Sequence, residues 1–315
     1  MKKVLIISYS QTGQLNEVIN SLSCPLLKSE DIKVVHTVIK PKKPYPFPWD
    51  FISFMDCFPE SVYLDPCEIE EIKEDNEEYD LIILAYQVWF LSPSLPITAF
   101  LKSDYAKEKL KNKPVITVIG CRNMWIMAQE KVKMLLNDIE AKLIDNIVLV
   151  DQGNSLATFV TTPRWMLTGK KESFWGIFPK AGIHPKDIEN SSRFGQAIVK
   201  ALLHNEEKSF NSLCHGLKAV EVNEKLIRSE QIGRRSFLIW GKLIRKIGRQ
   251  GSLQRRPFVL LYVLFLVLMI VTVVPINMLI QTFLRNINQD KMKKQKEFYA
   301  SPSGNGEERM KEFLT

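Results

Sequence analysis

Cysteine and histidine are scarce and ungrouped in this chain of 315 residues. The five cysteines, Cys24, Cys57, Cys67, Cys121 and Cys214, are odd in number and spaced like neither a zinc site nor a disulfide framework. They read as reduced thiols of a reducing compartment. His36, His184, His204 and His215 form no ligand spacing either, so no metal is expected. The N-terminal run is expected to be a strand and not a secretory leader: Val4-Leu5-Ile6-Ile7 is too short an apolar run, and no small-residue cleavage site follows it. The first domain is therefore expected in the cytoplasm. A basic face is missing from the first half, although Lys and Arg (43) outnumber Asp and Glu (35). Nine Lys or Arg fall between Arg228 and Arg256 with only Glu230 against them, so nucleic acid is not an expected partner. Charge is wholly absent from Pro257 to Leu284.

Apolar residues make up 45% of the chain and charged residues 25%, a globular balance. Lys3 to Tyr9 is a continuous apolar run of the kind that suits a parallel strand buried on both faces. Strands are also expected at Ile32–Ile39, Leu81–Tyr86, Pro114–Gly120 and Leu143–Val150. Helices alternate with them: one carries Leu15, Val18, Ile19 and Leu22, and others run over Pro96–Leu101, Ala128–Leu136 and Ser191–Leu203. This alternation predicts an α/β fold, a doubly wound five-stranded parallel sheet in the order 2-1-3-4-5, with its ligand beyond the carboxyl ends of strands one and three. The domain is expected over 1–206, with two insertions into the minimal fold at 41–66 and 151–190, both rich in aromatic residues such as Trp49, Phe58, Trp165 and Trp175. They read either as lids over an apolar substrate or as additional core.

The loop after strand one, Ser10-Gln11-Thr12-Gly13-Gln14-Leu15, offers hydroxyls, a glycine and the start of a helix, which together suit a phosphate monoester. The loop after strand three carries Gln87-Val88-Trp89-Phe90 and then prolines, and Trp89 or Phe90 offers a face to a flat ring. After strand four comes Gly120-Cys121-Arg122-Asn123, whose N–H groups and Asn123 amide suit a pyrimidine edge, with Arg122 placed to stabilise an anion. Cys121 reads as a small buried residue before a redox thiol.

With these loops in this order, the chain resembles flavodoxins and flavodoxin-like FMN- and NAD(P)H-dependent oxidoreductases. Ser10, Thr12 and Gly13 match that family's phosphate loop, and Leu15 departs from it where a hydroxyl is usual. The resemblance implies a flavodoxin-like fold, bound FMN, NAD(P)H as reductant and a homodimer. Catalytic residues stay unassigned, since the flavin would carry the chemistry. The wider layout is similar to bacterial dialkylresorcinol condensing enzymes. That narrower resemblance implies aromatisation of a cyclohexanedione beside a ketosynthase partner. A membrane-tethered electron carrier fed by a reductase partner, or a flavin-less binding protein, are the other readings.

Residues 257–284 are long and apolar enough for a transmembrane helix, expected to cross once, with Pro275 and Asn277 as points for a kink or a re-entrant turn. Residues 207–256 precede it. Within them Phe237, Ile239, Trp240, Leu243, Ile244 and Ile247 share one half of a helical wheel, and Arg234, Arg235, Lys242, Arg245, Lys246 and Arg249 the other, with Leu238 the exception. That pattern predicts a helix lying on a bilayer with anionic headgroups, or else one packed on the domain. Residues 285–315 read as a polar, flexible tail.

Overall fold

In the computed structural model, residues 1–73, 75–285 and 289–313 are described. The strands are β1 (Lys2–Ser8), β2 (Ile32–Val38), β3 (Leu81–Trp89), β4 (Ser92–Pro93), β5 (Pro114–Cys121) and β6 (Lys142–Val150). The helices of the first domain are α1 (Gln14–Leu27), α2 (Phe51–Asp56), α3 (Phe58–Tyr63), α4 (Leu95–Leu101), α5 (Asp104–Leu110), α6 (Ile126–Asp138), α7 (Thr158–Thr168), α8 (Pro185–Glu189) and α9 (Ser192–Leu203). The C-terminal helices are α10 (Glu224–Ile247), α11 (Arg256–Arg285), α12 (Gln289–Ala300) and α13 (Met310–Phe313).

Five strands are parallel, in the order β2-β1-β3-β5-β6. This is the expected 2-1-3-4-5 order of a flavodoxin-like sheet. One element is additional: β4 pairs antiparallel with the end of β3, Val88 opposite Pro93 and Trp89 opposite Ser92. β1 is paired on both edges, and Val4 to Ile7 are buried because helices cover both faces of the sheet. β2 alternates in exposure, as an edge strand does. The chain moves one way along the sheet through α1 and the other way through α4 to α6. Right-handed crossovers therefore put α1 and α4–α6 on opposite faces. α9 returns to pack against α1, so closely that a methyl group on Gly195 would overlap the Leu22 carbonyl.

The far edge, β6, is covered rather than left open. Val148 N–H donates to Ala219 O (2.9 Å), and Asn146 N–H donates to Ser303 Oγ (2.6 Å). Asp145 is fully buried at a register shift opposite Val115 and Ile116. It accepts from Ser212 Oγ (2.5 Å), Leu213 N (2.7 Å), Cys214 N (3.1 Å) and Ser303 Oγ (2.7 Å).

Three sequence expectations for the C-terminal third are corrected. First, within residues 207–256, Leu213, Leu217, Val220 and Val222 belong to the domain core. Much of the apolar half of α10 also faces inward. Ile244 is fully buried, Phe237 meets Phe58 (5.3 Å between ring centres), and Trp240 meets Tyr262 and Phe265 (5.8 and 5.2 Å). The domain-packed reading of this helix holds for that half. Second, α11 stays helical through Pro275, without the expected turn there. Third, residues 285–315 are not a flexible tail within the part described. Ala300, Ser303 and Phe313 are buried, and Arg309 N–H donates to Gly216 O (2.9 Å). Positions 286–288 and 314–315 of that expected tail lie outside the described residues. The chain before and after α11 packs on the same domain.

Candidate functional site at the carboxyl end of the sheet

Gly13 caps α1 in the left-handed conformation (φ 83°) and no side chain caps the helix. A Cβ built at Gly13 meets nothing within 4 Å, so the space before the helix is open. In the first turn Asn16 N–H and Glu17 N–H donate to Gly13 O (3.0 and 3.3 Å), and the helix dipole makes this end attractive to an anion. Ser10 Oγ is buried there without a hydrogen-bond partner. Thr12 Oγ1 lies 3.5 Å from Gln14 N. A phosphate monoester fits this donor set in number and chemistry.

The ends of β3 and β5 reach the same place. Gln11 N–H donates to Gln87 Oε1 (2.9 Å), which joins the loop after β1 to the end of β3. A Cβ on Gly120 would sit 3.3 Å from Leu15 Cδ1, so the first turn of α1 packs against the end of β5. Leu15 is therefore core, wedged under Gly120, and not a residue facing an anion. Gln14 is also turned away from a ligand role. Its Oε1 accepts from Ile183 N (2.9 Å) and its Nε2 donates to Ile183 O (3.3 Å), so it ties α1 to the second insertion.

The ring-facing expectation for Trp89 and Phe90 needs correcting in this structure. Trp89 is buried edge-to-face among Tyr9, Tyr45 and Trp49, with ring centres 5.9, 5.0 and 5.5 Å away. Phe90 packs on Phe54 and Phe58 (5.0 and 5.4 Å). The first insertion thus occupies the faces expected for a planar ligand. Val88 is half-buried behind them, held by its pairing with Pro93.

The two insertions meet above the sheet. Trp49 N–H donates to Met166 O (2.8 Å), and Phe47 meets Trp165 edge-on (6.2 Å). Gln11 Nε2 donates to Pro46 O (3.4 Å), so this cover touches the phosphate loop. Trp49 Nε1 and Thr161 Oγ1 are buried without partners, and both belong to the cover. The tip of the second insertion behaves differently: Phe174 and Phe178 stack at 4.7 Å, but Trp175 is 82% exposed. The inner residues of these segments are therefore additional core, while the tip around Trp175 stands out from it.

Arg122 lies over the Phe159 ring (3.9 Å) and donates from Nε to Asn123 Oδ1 (3.3 Å). Burial lowers its pKa to about 10, which the nearby Asp151 opposes. Asn123 Nδ2 reaches Thr158 Oγ1 at 3.5 Å. Burial raises the Cys121 thiol, which disfavours the thiolate that redox exchange requires.

Sequence reasoning passed over Asp151 as the first residue of an insertion, yet it stands at the carboxyl end of β6. It accepts from Gly182 N (2.6 Å) and Gly153 N (2.8 Å), and burial still raises its pKa. The signal available was positional: residues just past parallel strands build sites in such sheets. Glu230 was also missed. It reaches across from α10 and accepts from Met127 N (2.9 Å) at the start of α6, beside Cys121.

The sheet is flavodoxin-like in strand order. No family model matches this chain, and no curated protein matches it. Among solved structures it is similar to a flavoprotein in complex with FMN from Lactobacillus acidophilus NCFM, at 20% identity, covering 47% of this chain and 93% of that one, with a TM-score of 0.38. It is also similar to a flavodoxin from the domain Archaea (10% identity, 65% and 100% covered, TM-score 0.36). Flavodoxin 1 from Bacillus cereus is a third (16% identity, 63% and 98% covered, TM-score 0.35). The fold assignment rests on the strand order of this chain and not on these likenesses.

Proposed function

We propose that this chain is an FMN-dependent oxidoreductase acting on an apolar substrate at a membrane. The observation that carries this reading is the uncapped start of α1 at the strand switch point, with Ser10 Oγ buried and unpartnered beside it. The start of α1, Ser10 and Thr12 would hold the phosphate. The loop Gly120–Asn123 would supply polar contacts at the ring edge, with Arg122 as a nearby cation. When bound, FMN supplies two-electron transfer. The chain's own task is to hold it, exclude water and admit the substrate. Water exclusion falls to the two joined insertions, whose inner residues are Tyr45, Trp49 and Trp165.

The narrower reading is aromatisation of a cyclohexanedione carrying long alkyl chains, with a ketosynthase as the source of substrate. Loss of two electrons and two protons makes such a ring a resorcinol, and an aromatic cover beside an apolar helix suits its alkyl chains. That oxidation would leave the flavin reduced, so turnover would need an electron acceptor to reoxidise it, such as dioxygen or NAD(P)+.

The test is flavin uptake by the full chain in detergent. Wild type is expected to quench FMN fluorescence to saturation. Gly13→Glu, which puts a carboxylate where the phosphate sits, is expected to weaken uptake about a hundredfold, equivalent to about 2.7 kcal/mol. No uptake by the wild type would leave a flavin-less binding protein. Bound flavin that NADPH reduces only when a reductase is added would leave an electron carrier.

A further inference from the structure

We infer that α10 and α11 together form a seat buried in one leaflet of an anionic bilayer, with the domain and the C-terminal segment on the same side. The inference rests on the membrane association in the proposed function and is independent of flavin binding.

α11 is the one helix among the described residues long and apolar enough to cross a membrane, with a mean hydropathy of 2.0 over Leu253–Thr272. Its apolar character runs all the way round. Val259 and Tyr262 are buried against the domain, while Leu260, Leu264, Leu268 and Val271 on the other side are about half to two-thirds exposed. A helix apolar on every side is matched by hydrocarbon, whereas a docking helix for another protein carries a polar flank. Thr272 Oγ1, the polar atom facing outward, donates to Leu268 O (2.7 Å), which satisfies it inside the helix as lipid requires.

The chain on either side of this helix is fixed to the domain. Arg255, just before it, is fully buried and ion-paired to Asp56 (3.0 Å) and Glu60 (2.7 Å) on α2 and α3. After it, Tyr299 accepts from Gln231 (3.3 Å), and Ser303 bonds to Asp145 and Asn146 in β6. A crossing would need a second crossing to bring the chain back. α12 cannot supply it, since Asp290, Lys291, Lys293, Lys294, Lys296 and Glu297 fall within it.

α11 instead runs antiparallel beside α10. Tyr262 and Phe265 meet Trp240, and Met269 faces the part of α10 nearer Ile232, leaving a groove of about 420 Å³ between the helices. The outer side of α10 completes the seat. Ile239 (71% exposed) and Leu243 stand among exposed Arg235, Lys242, Lys246 and Arg249. Apolar side chains ringed by cations are what a leaflet with phosphate headgroups complements. The occupant is therefore lipid, with acyl chains against α11 and headgroups against α10.

The full chain carrying an epitope tag at each end is expressed in bacteria, and sealed inverted vesicles and intact spheroplasts are treated with protease. Both tags are expected to be lost in inverted vesicles and both protected in spheroplasts. A C-terminal tag cleaved only in spheroplasts overturns the inference in favour of a single crossing, while leaving membrane association intact. In a second arm, purified protein is bound to vesicles of phosphatidylcholine with or without phosphatidylglycerol. Replacing Arg235, Lys242 and Lys246 together by Gln is expected to weaken binding to the anionic vesicles about a hundredfold, about fivefold per cation, and to leave binding to neutral vesicles unchanged. Leu264→Glu with Leu268→Glu is expected to abolish both. Protein that binds neither vesicle, or whose binding ignores these substitutions, overturns the seat and the membrane association with it, whatever the flavin titration gives.

Discussion

Glu230 is the lone acid in a run of cations, and it is fully buried. Its Oε2 accepts from the Met127 amide, while Oε1 has no partner. Burial raises its pKa from 4.5 to about 8, against the pull of the Trp125, Ile126 and Met127 amides. The folded state therefore holds a proton that the unfolded chain gives up. Stability is greatest below the unfolded value of 4.5 and declines as pH rises toward about 8, after which the penalty is constant. Glu230→Gln keeps an acceptor for the Met127 amide and removes the titration. Its thermal midpoint is expected to be flat across that window, where the wild type falls. A wild-type profile equally flat would show that Glu230 is not the group responsible. Gly195 is a steric case: Gly195→Ala drives a methyl group into the Leu22 carbonyl and is expected to cost about 1–3 kcal/mol in denaturant unfolding. The sequence flagged neither residue. Burial of an acid inside a basic segment, and the approach of α9 to α1, depend on contacts between segments far apart in the chain.

The strands were legible because strand-length apolar runs such as Lys3–Tyr9 and Leu81–Tyr86 have few other readings in an alternating pattern. The short helices α2, α3 and α7 were not, since each is stabilised by what it packs on. Phe58 stacks on Tyr262 (4.1 Å) from the other end of the chain, and Trp49 bonds to Met166. The wheel for α10 separated cations from apolar residues correctly, but could not tell which apolar residues would meet protein. Tyr63 and Phe58 settle that, since Tyr63 OH donates to Leu238 O (2.8 Å). Arg255 joins α2 and α3 to the start of α11. Arg255→Met leaves Asp56 and Glu60 facing each other without their cation, and is expected to cost about 3–5 kcal/mol in chemical denaturation. Replacing all three residues by apolar ones of similar size is expected to recover much of that loss, which separates the stranded charges from the worth of the pair itself.

At the scale of the whole molecule, the candidate phosphate site was the most legible part. Hydroxyls, glycine and helix start are contiguous in sequence, so Ser10 to Gly13 needed no tertiary information. The ring side depended on how the first insertion folds, and the sequence held no sign that Tyr45 and Trp49 would reach Trp89. The C-terminal segment was the least legible, because a polar stretch after an apolar helix gives no hint of a return to β6. That return has a consequence for stability. Ser303 Oγ satisfies both Asn146 N–H and one oxygen of Asp145, so the sheet edge is completed by residues beyond the apolar helix. Ser303→Ala leaves the Asn146 N–H buried without its partner and is expected to cost about 1–3 kcal/mol. Deleting residues 289–315 removes that bond together with the cover from Ala300 and Phe313, and exposes a strand edge that can pair with another chain. The truncated protein is expected to melt lower than Ser303→Ala and to form larger species in size-exclusion chromatography in detergent. A truncation as stable and as monodisperse as the full chain would mean that the C-terminal segment does not close the sheet in solution.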